Sequence, residues 1–97
     1  MSTQTILITG ATDGIGKLTA IDLAKQNKDA AILIHGRNKE KLDKVTKEIK
    51  EKTSNQNVET YVADFSSLKE VRQLAKDILD KHDNINILIN NAGAGFA

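Results

Sequence analysis

The chain has 97 residues, a formal net charge of +1 and no cysteine. This length provides one small domain or part of one, so two complete domains are excluded. The missing cysteines exclude a disulfide scaffold and a cysteine-ligated zinc site, and the balance of 14 Lys and Arg against 13 Asp and Glu argues against a broad basic face for nucleic acid.

The chain opens with a short apolar strand, predicted at Ile6–Ile8, and continues into a segment of helical period. Apolar residues recur at steps of three on this helix and form one stripe, which consists of Ile15, Leu18, Ile21 and Ala24. Ala20 and Leu23 widen this stripe. A stripe of this width predicts a well-buried first helix.

The second strand is predicted at Ala30–Ile34, which is apolar throughout, as is typical of a strand covered on both faces of a parallel sheet. A second helix is predicted from Lys39 to about Lys52, where only Leu42, Val45 and Ile49 form a narrow apolar stripe. The third strand, Val58–Val62, alternates between apolar and polar side chains, and this pattern favours an edge position.

A third helix is predicted from Ser67 to about His82, with Ser67 and Glu70 at the spacing of a capping box. Its apolar face is predicted to contain Leu68, Val71, Ala75 and Ile78. A fourth apolar strand follows at Ile85–Ile89. The resulting order β-α-β-α-β-α-β predicts an α/β fold with a parallel sheet and right-handed crossovers.

A glycine-rich segment joins the first strand to the first helix, with the sequence Thr9-Gly10-Ala11-Thr12-Asp13-Gly14-Ile15-Gly16. Glycines in this position permit a tight turn, a close approach of the backbone to a pyrophosphate, and close packing of the helix on the strand. Amides at the helix start would then face the anionic phosphates. A glycine-rich turn without a ligand is the alternative, which the strand–turn–helix context disfavours.

A second indication comes from the end of the second strand. Dinucleotide folds usually place there an acid that holds the adenosine ribose hydroxyls, or an arginine that accepts a 2′-phosphate. This sequence has Arg37 at that place and no acid between Ile34 and Glu40, so NADP is favoured over NAD. A solvated loop arginine is the alternative, and Asp13 argues against NADP because an acid in the glycine turn would lie near that phosphate.

Polar and small residues also follow the third and fourth strands. Asp64 is predicted to accept from an adenine amino group while Phe65 lines the ring, with a plain turn aspartate as an equal alternative. The small residues in Asn90-Asn91-Ala92-Gly93 would leave room for a ribose in the crevice, although an ordinary turn is possible there too.

The glycine turn and the Asn90-Asn91-Ala92-Gly93 segment together resemble the TGxxxGxG and NNAG motifs of the short-chain dehydrogenase/reductase family. The segments 34–38 and 64–68 are similar to those of its NADP-preferring, retinol-dehydrogenase-like members. This resemblance implies a partial Rossmann fold with strand order 3-2-1-4, the first two helices on one face and the third on the other. Residues 1–97 would then be the N-terminal part of a single NAD(P)-binding domain, with no second domain.

The resemblance also implies roles for individual residues. Gly10, Asp13 and Ile15, with Gly14 and Gly16 in the same turn, would lie on the pyrophosphate side. Arg37 and Asn38 would contact the 2′-phosphate, Asp64 and Phe65 the adenine, and Asn91, Ala92 and Gly93 the adjacent ribose. One departure is Asp13, where many NADP-using relatives carry arginine.

Hydride transfer in the family depends on a Tyr-x-x-x-Lys pair, and this sequence does not contain one. Its only tyrosine, Tyr61, is followed four places later by Phe65, so we predict no catalytic residue and no metal site in this chain. Two hypotheses stay open: the NADP-binding portion of an oxidoreductase whose catalytic half is absent from the chain, or a non-catalytic NADP-binding fragment that acts by associating with a partner. A methyltransferase-like Rossmann protein is disfavoured because NNAG has no role there.

Partners and location follow from the same features. The fourth strand would have an unpaired apolar edge in this chain, which predicts self-association. The first five residues carry no basic run, and no apolar run approaches the roughly 20 residues of a membrane span. We therefore expect a cytoplasmic protein that binds a dinucleotide, without a membrane span and without nucleic acid.

Overall fold

The computed structural model describes residues 4–91 of the chain. Along this part, strands and helices alternate as β1 (Thr5–Thr9), α1 (Gly14–Gln26), β2 (Ala31–Gly36), α2 (Lys39–Lys52), β3 (Val58–Val62), α3 (Leu68–Lys81) and β4 (Ile87–Asn90). All strand pairs are parallel and the sheet order is β3-β2-β1-β4. The predicted α/β class, the partial Rossmann topology and the edge position of Val58–Val62 are confirmed.

The two central strands are buried at every position because helices cover both faces of the sheet. α1 and α2 close one face, where Ile6, Ile8, Ile32 and Ile34 meet Ala20, Ala24, Leu42, Val45 and Ile49. α3 closes the other, where Leu7, Ala31, Leu33 and Ala63 meet Leu74 and Ile78. Successive strand residues point to opposite faces, so each central strand serves both cores. The predicted distribution of helices is confirmed.

The predicted apolar stripe of the first helix is wrong at its first two positions. Ile15 and Leu18 are 76% and 65% exposed, whereas Gly16, Ala20 and Ala24 are the buried residues of α1. These small residues recur at steps of four, so they line one face and let the helix backbone lie close to the sheet. The predicted stripe is therefore correct at Ala20 and Ala24, and Ile21 and Leu23 pack against the same core, but the buried Gly16 was not predicted.

The predicted face of the third helix is also partly wrong. Leu74 and Ile78 are buried and Val71 is half-buried, but Leu68 is 63% exposed and Ala75 is exposed. Positions 71, 74 and 78 share one helical face, which is rotated slightly from the predicted stripe. Ile78 belongs to both sets, so the error concerns the direction of the face and not the existence of the helix.

The ends of two strands differ from prediction. β2 begins at Ala31 and continues to Gly36, two residues past the predicted end, so His35 lies within the sheet. β4 begins at Ile87 instead of Ile85, because the Asn86 side-chain oxygen takes the Thr5 N–H at 2.8 Å just before the strand. Within residues 4–91 no helix is long and apolar enough to cross a bilayer.

A polar cluster fastens the edge strand β3 to the end of α3. The Tyr61 hydroxyl donates to Glu59 at 2.7 Å, and His82, which follows α3, lies 3.0 Å from the same carboxylate. Burial opposes the charge on Glu59, but the hydrogen bonds from Tyr61 and His82 outweigh it and hold the pKa of Glu59 below its usual value. Burial and the neighbouring carboxylate raise the pKa of Tyr61. This cluster lies away from the glycine turn and has a structural role.

Candidate functional site

The segments that follow the parallel strands meet at one edge of the sheet. The turn after β1 is joined to β2 by a hydrogen bond from Ala11 N to His35 O at 2.9 Å. The segment after β3 is joined to the end of β2 by a bond from Ala63 N to Gly36 O at 3.1 Å. The structure thus brings the predicted residues after β1, β2 and β3 to a common edge, where the general rule for open α/β sheets places ligands.

The glycine turn requires glycine at specific positions. Gly10 has a φ of 62°, in the left-handed region that side-chain-bearing residues rarely adopt. A Cβ at Gly16 would lie 2.2 Å from Gly10 O and 2.7 Å from Asn91 Nδ2, so only glycine lets α1 pack this closely on the turn. At Gly14, by contrast, a Cβ would meet nothing within 4 Å, so this side of the turn is open.

The start of α1 has no side-chain cap. Asp13 occupies the N-cap position, but its side chain makes no capping hydrogen bond within the described part of the chain. Its carboxylate instead lies 3.4 Å from the Thr12 hydroxyl and 3.8 Å from Lys41 Nζ, and it is largely exposed. The first-turn amides of this helix are consequently not engaged by the side chain of its N-cap residue.

The start of α2 provides the exposed basic residues. Arg37 and Asn38 are both exposed, and Asn38 caps α2 by accepting from Lys41 N at 3.1 Å through its side-chain oxygen. The amide nitrogen of Asn38 is a donor group not involved in this cap. The sequence analysis did not single out Lys41, although its place three residues after Asn38, a good N-cap residue, predicts the first turn of a helix; its Nζ lies 3.8 Å from the Asp13 carboxylate.

The segment after β3 favours the turn role of Asp64. Its Oδ1 accepts from both the amide and the hydroxyl of Ser66, at 2.9 and 2.8 Å. These two bonds, with a contribution from the charge of Arg37, lower the pKa of Asp64. The predicted capping box is formed only in part: Ser67 Oγ accepts from Glu70 N, whereas Glu70 reaches back to Asp64 N and not to the amide of the cap residue.

His35 connects three of these segments, a role that sequence reasoning missed. The ring is 2% exposed; Nδ1 accepts from Gly10 N at 3.2 Å, and Nε2 lies 2.8 Å from Ala63 O. The Phe65 ring stacks on it with centroids 4.1 Å apart, while Phe65 itself is 39% exposed. A single histidine inside an apolar strand has no spacing signal, so only the extension of β2 to Gly36 would have pointed to it.

The end of β4 holds the glycine turn from the other side. Asn91 Nδ2 donates to Gly10 O at 3.2 Å, and Asn91 N donates to the Thr9 hydroxyl at 2.9 Å. Asn91 therefore lies at the predicted edge, beside the glycine turn. Ala92 and Gly93, the other two residues of the predicted ribose contact, lie outside the described residues.

A separate surface cavity of about 510 Å³ lies between β3 and α3. Its lining includes Glu70, Asp77 and Asp80 and contains none of the predicted cofactor residues. These carboxylates make the cavity unfavourable for an anionic dinucleotide. Among residues 4–91 no group of three or more His, Cys, Asp or Glu is placed to hold a metal ion.

Comparison with known proteins agrees with this arrangement. The profile of the short chain dehydrogenase family matches residues 4–97. Human retinol dehydrogenase 13 is 39% identical over 90 residues, which cover 93% of this chain and 27% of that protein. YwfH, an NADPH-dependent reductase involved in bacilysin biosynthesis, superposes with a TM-score of 0.84 at 29% identity over 93% of this chain and 37% of its own.

A metagenomic short-chain oxidoreductase in complex with NADP superposes equally well, with a TM-score of 0.84 and 31% identity over 96% of this chain and 40% of its own. The chain belongs to the short-chain dehydrogenase family. It spans between a quarter and two fifths of the length of these relatives.

Proposed function

We propose that this chain binds the adenosine and pyrophosphate side of a nicotinamide dinucleotide, NADP in preference to NAD, as the N-terminal part of a single oxidoreductase domain. The observation that carries the proposal is that the uncapped α1 start and the exposed Arg37 follow the adjacent strands β1 and β2 at one edge of the sheet. The family match and the NADP complex of a similar structure support it.

The pyrophosphate would lie over the turn formed by Gly10, Gly14 and Gly16, with Asp13 and Ile15 at its border. A Cβ at Gly16 would lie only 2.2 Å from Gly10 O, so the turn forms a cradle that a larger residue would distort. The first-turn amides of α1 supply donors without a carboxylate cap to compete for them. The residues present therefore fit a phosphate-bearing cofactor.

The 2′-phosphate would be held by Arg37 and the Asn38 amide, with Lys41 as a further cation. A guanidinium can donate two parallel hydrogen bonds to phosphate oxygens, and this fork is the physical basis for preferring NADP. Asp13 opposes the preference, since its carboxylate lies 3.8 Å from Lys41 Nζ and adds negative charge on this side.

The adenine would pack against the exposed part of Phe65, whose position is fixed by its stack on His35. Asp64 would contribute to the same side, although two bonds from Ser66 already engage its Oδ1. Asn91, with Ala92 and Gly93, would line the adjacent ribose.

When bound, the nicotinamide group supplies hydride transfer to or from an alcohol or carbonyl substrate. The chain would position the cofactor and provide no proton donor, because its one tyrosine, Tyr61, donates to Glu59 and is followed four places later by Phe65. The alternative function is that of a non-catalytic NADP-binding fragment or partner-association module.

Titration calorimetry with NADP⁺ and NAD⁺ tests the cofactor assignment. Arg37→Ala should weaken NADP⁺ binding by about ten- to a hundredfold and leave NAD⁺ binding almost unchanged, since a charged hydrogen bond contributes about 1.5–3 kcal/mol. Arg72 on α3, the only other arginine, provides the matched control, and Arg72→Ala should change neither affinity. An unchanged affinity ratio in Arg37→Ala would remove Arg37 from the site.

We also propose that the chain self-associates through β4. In the described residues β4 pairs only with β1, and Leu88 on this strand is 57% exposed. Light scattering across the micromolar range should show dimers or larger species, reduced by Leu88→Lys because edge lysines oppose strand pairing. Leu79→Lys on α3, at a site 58% exposed, is the matched control. A monomeric wild-type chain would refute the proposal.

A further inference from the structure

The glycine turn is held in place by a buried histidine from the neighbouring strand. Gly10 N–H donates to the Nδ1 atom of His35, and the opposite ring nitrogen lies 2.8 Å from the carbonyl oxygen of Ala63. Gly10 and Ala63 follow β1 and β3, while His35 lies on β2 between them. One imidazole therefore connects the loops on both sides of its own strand.

These contacts define the protonation state of the ring. An amide N–H can only donate, so Nδ1 must carry a lone pair; a carbonyl oxygen can only accept, so Nε2 must carry the hydrogen. The ring is thus the neutral tautomer protonated on Nε2. Protonation of Nδ1 would turn an acceptor into a donor that faces the Gly10 N–H, and the hydrogen bond would be lost.

We infer that His35 is a positioning residue for the dinucleotide: its neutral ring fixes the glycine turn in the form that receives the pyrophosphate, and acidification releases the turn and weakens binding. The inference rests on the proposed function, because it concerns the same turn. Phe65 adds a second connection, since its stack on His35 couples the adenine side to the pyrophosphate side.

The surroundings of the ring favour the neutral form. Charged or titratable groups on the neighbouring segments are Asp13, Arg37, Tyr61, Asp64 and Glu70. Asp64 is engaged with Ser66, Glu70 with the Asp64 amide and Tyr61 with Glu59, while both ring nitrogens meet backbone atoms. Burial lowers the pKa of His35, and the Ala63 bond opposes this only in part.

Two substitutions of His35 separate its hydrogen bond with Gly10 from its hydrogen bond with Ala63. In His35→Asn the side-chain oxygen can take the place of Nδ1 and accept from Gly10, and it does not titrate. In His35→Gln the amide nitrogen can reach the place of Nε2 and donate to Ala63, but no acceptor lies near Gly10. The two variants are similar in polarity, so a general effect of removing the aromatic ring would appear in both.

The experiment is titration calorimetry of NADP⁺ and NAD⁺ from about pH 7.5 down to about pH 4, which extends below the ordinary titration range of histidine because burial lowers the pKa of His35. Both variants lose the stack on Phe65, so they are compared with each other: at neutral pH His35→Gln should bind NADP⁺ about tenfold more weakly than His35→Asn, because only in His35→Asn does the Gly10 amide keep an acceptor. On acidification the wild type should weaken while His35→Asn should not. NAD⁺ corrects for the titration of the 2′-phosphate, whose pKa is about 6.

Circular dichroism at each pH restricts the comparison to folded protein. Equal weakening of wild type and His35→Asn on acidification, or equal affinities of the Asn and Gln variants, would overturn the inference. If the wild type binds neither dinucleotide at neutral pH, the proposed function itself fails. Amide exchange at Gly10 then still decides whether His35 fixes the turn: Gly10 should be protected in wild type and His35→Asn and unprotected in His35→Gln.

Discussion

The three helices of the described chain begin in two different ways. α2 and α3 each begin with a side chain that accepts an amide of the first turn, Asn38 from Lys41 N and Ser67 from Glu70 N. α1 begins at Asp13, whose carboxylate makes no such bond in the described residues and points instead toward Lys41. Residues with the same capping preference thus have different roles at three equivalent positions.

The contacts that hold these helix starts also differ in their separation along the sequence. The caps of α2 and α3 act over three residues of sequence, whereas the turn before α1 is held by His35, 25 residues from Gly10, and by Asn91, 81 residues from it. A local side-chain cap stabilises a helix and occupies an amide of its first turn. The long-range contacts engage the Gly10 and Ala11 amides and keep the turn in place, while the first-turn amides of α1 receive no side-chain cap, as an anion-binding end requires.

The largest effect is expected at Gly16, where α1 packs most closely against the glycine turn. Gly16→Ala should cost about 3 kcal/mol of the free energy of unfolding, because the new Cβ would meet Gly10 O at 2.2 Å and Asn91 at 2.7 Å. Gly14→Ala is the control: a Cβ there meets nothing within 4 Å, so only its φ of 54° opposes the change, at a cost of about 1–2 kcal/mol.

Urea unfolding monitored by circular dichroism measures both free energies, and NADP⁺ titration reports the state of the turn. We expect Gly16→Ala to abolish binding and Gly14→Ala to reduce it. Equal losses of stability in the two variants would show that glycine is required in this turn for its backbone conformation and not for the close approach of α1.

The next effect concerns the caps themselves. Ser67→Ala should lower the free energy of unfolding by about 1 kcal/mol, the usual value of an N-cap hydrogen bond. Asp13→Ala should lower it by less than about 0.5 kcal/mol, since only an exposed charge near the helix dipole is removed. Urea unfolding of the two variants compares them directly. A cost at Asp13 equal to that at Ser67 would mean that α1 is capped after all.

The sequence predicted the elements and the motif-bearing turns, because these follow from hydrophobic periodicity and from residues close together along the chain. The sheet order was implied by the family resemblance of those turns and not by periodicity. Within α1 the sequence predicted Ala20 and Ala24 on the buried side but also Ile15 and Leu18, which are exposed, and it missed Gly16, because close approach of the helix to the sheet there requires small residues. It also missed His35 and Lys41. Their contacts with Gly10 and Asp13 depend on the placement of β2 beside β1, which no local pattern encodes.

The smallest effect, on NADP⁺ affinity, should follow from neutralising Asp13 at the start of α1. Asp13→Asn removes a carboxylate from the side on which the 2′-phosphate is proposed to lie, and it frees Lys41 from its contact at 3.8 Å. Because these groups are exposed, the gain in NADP⁺ affinity should be only about twofold, and it should vanish near 1 M salt, where screening acts within about 3 Å.

Calorimetry of NADP⁺ at low and high salt measures this gain, with NAD⁺ as the ligand that lacks the 2′-phosphate. Asp22→Asn provides the matched control, because Asp22 is exposed on the same helix and is hydrogen bonded to Gln26, away from the glycine turn. An equal gain in NAD⁺ affinity would show that Asp13 repels the pyrophosphate and not the 2′-phosphate. A gain that persists at high salt would assign the effect of Asp13 to the shape of the turn, and the uncapped start of α1 would then owe its preference for anions to geometry more than to charge.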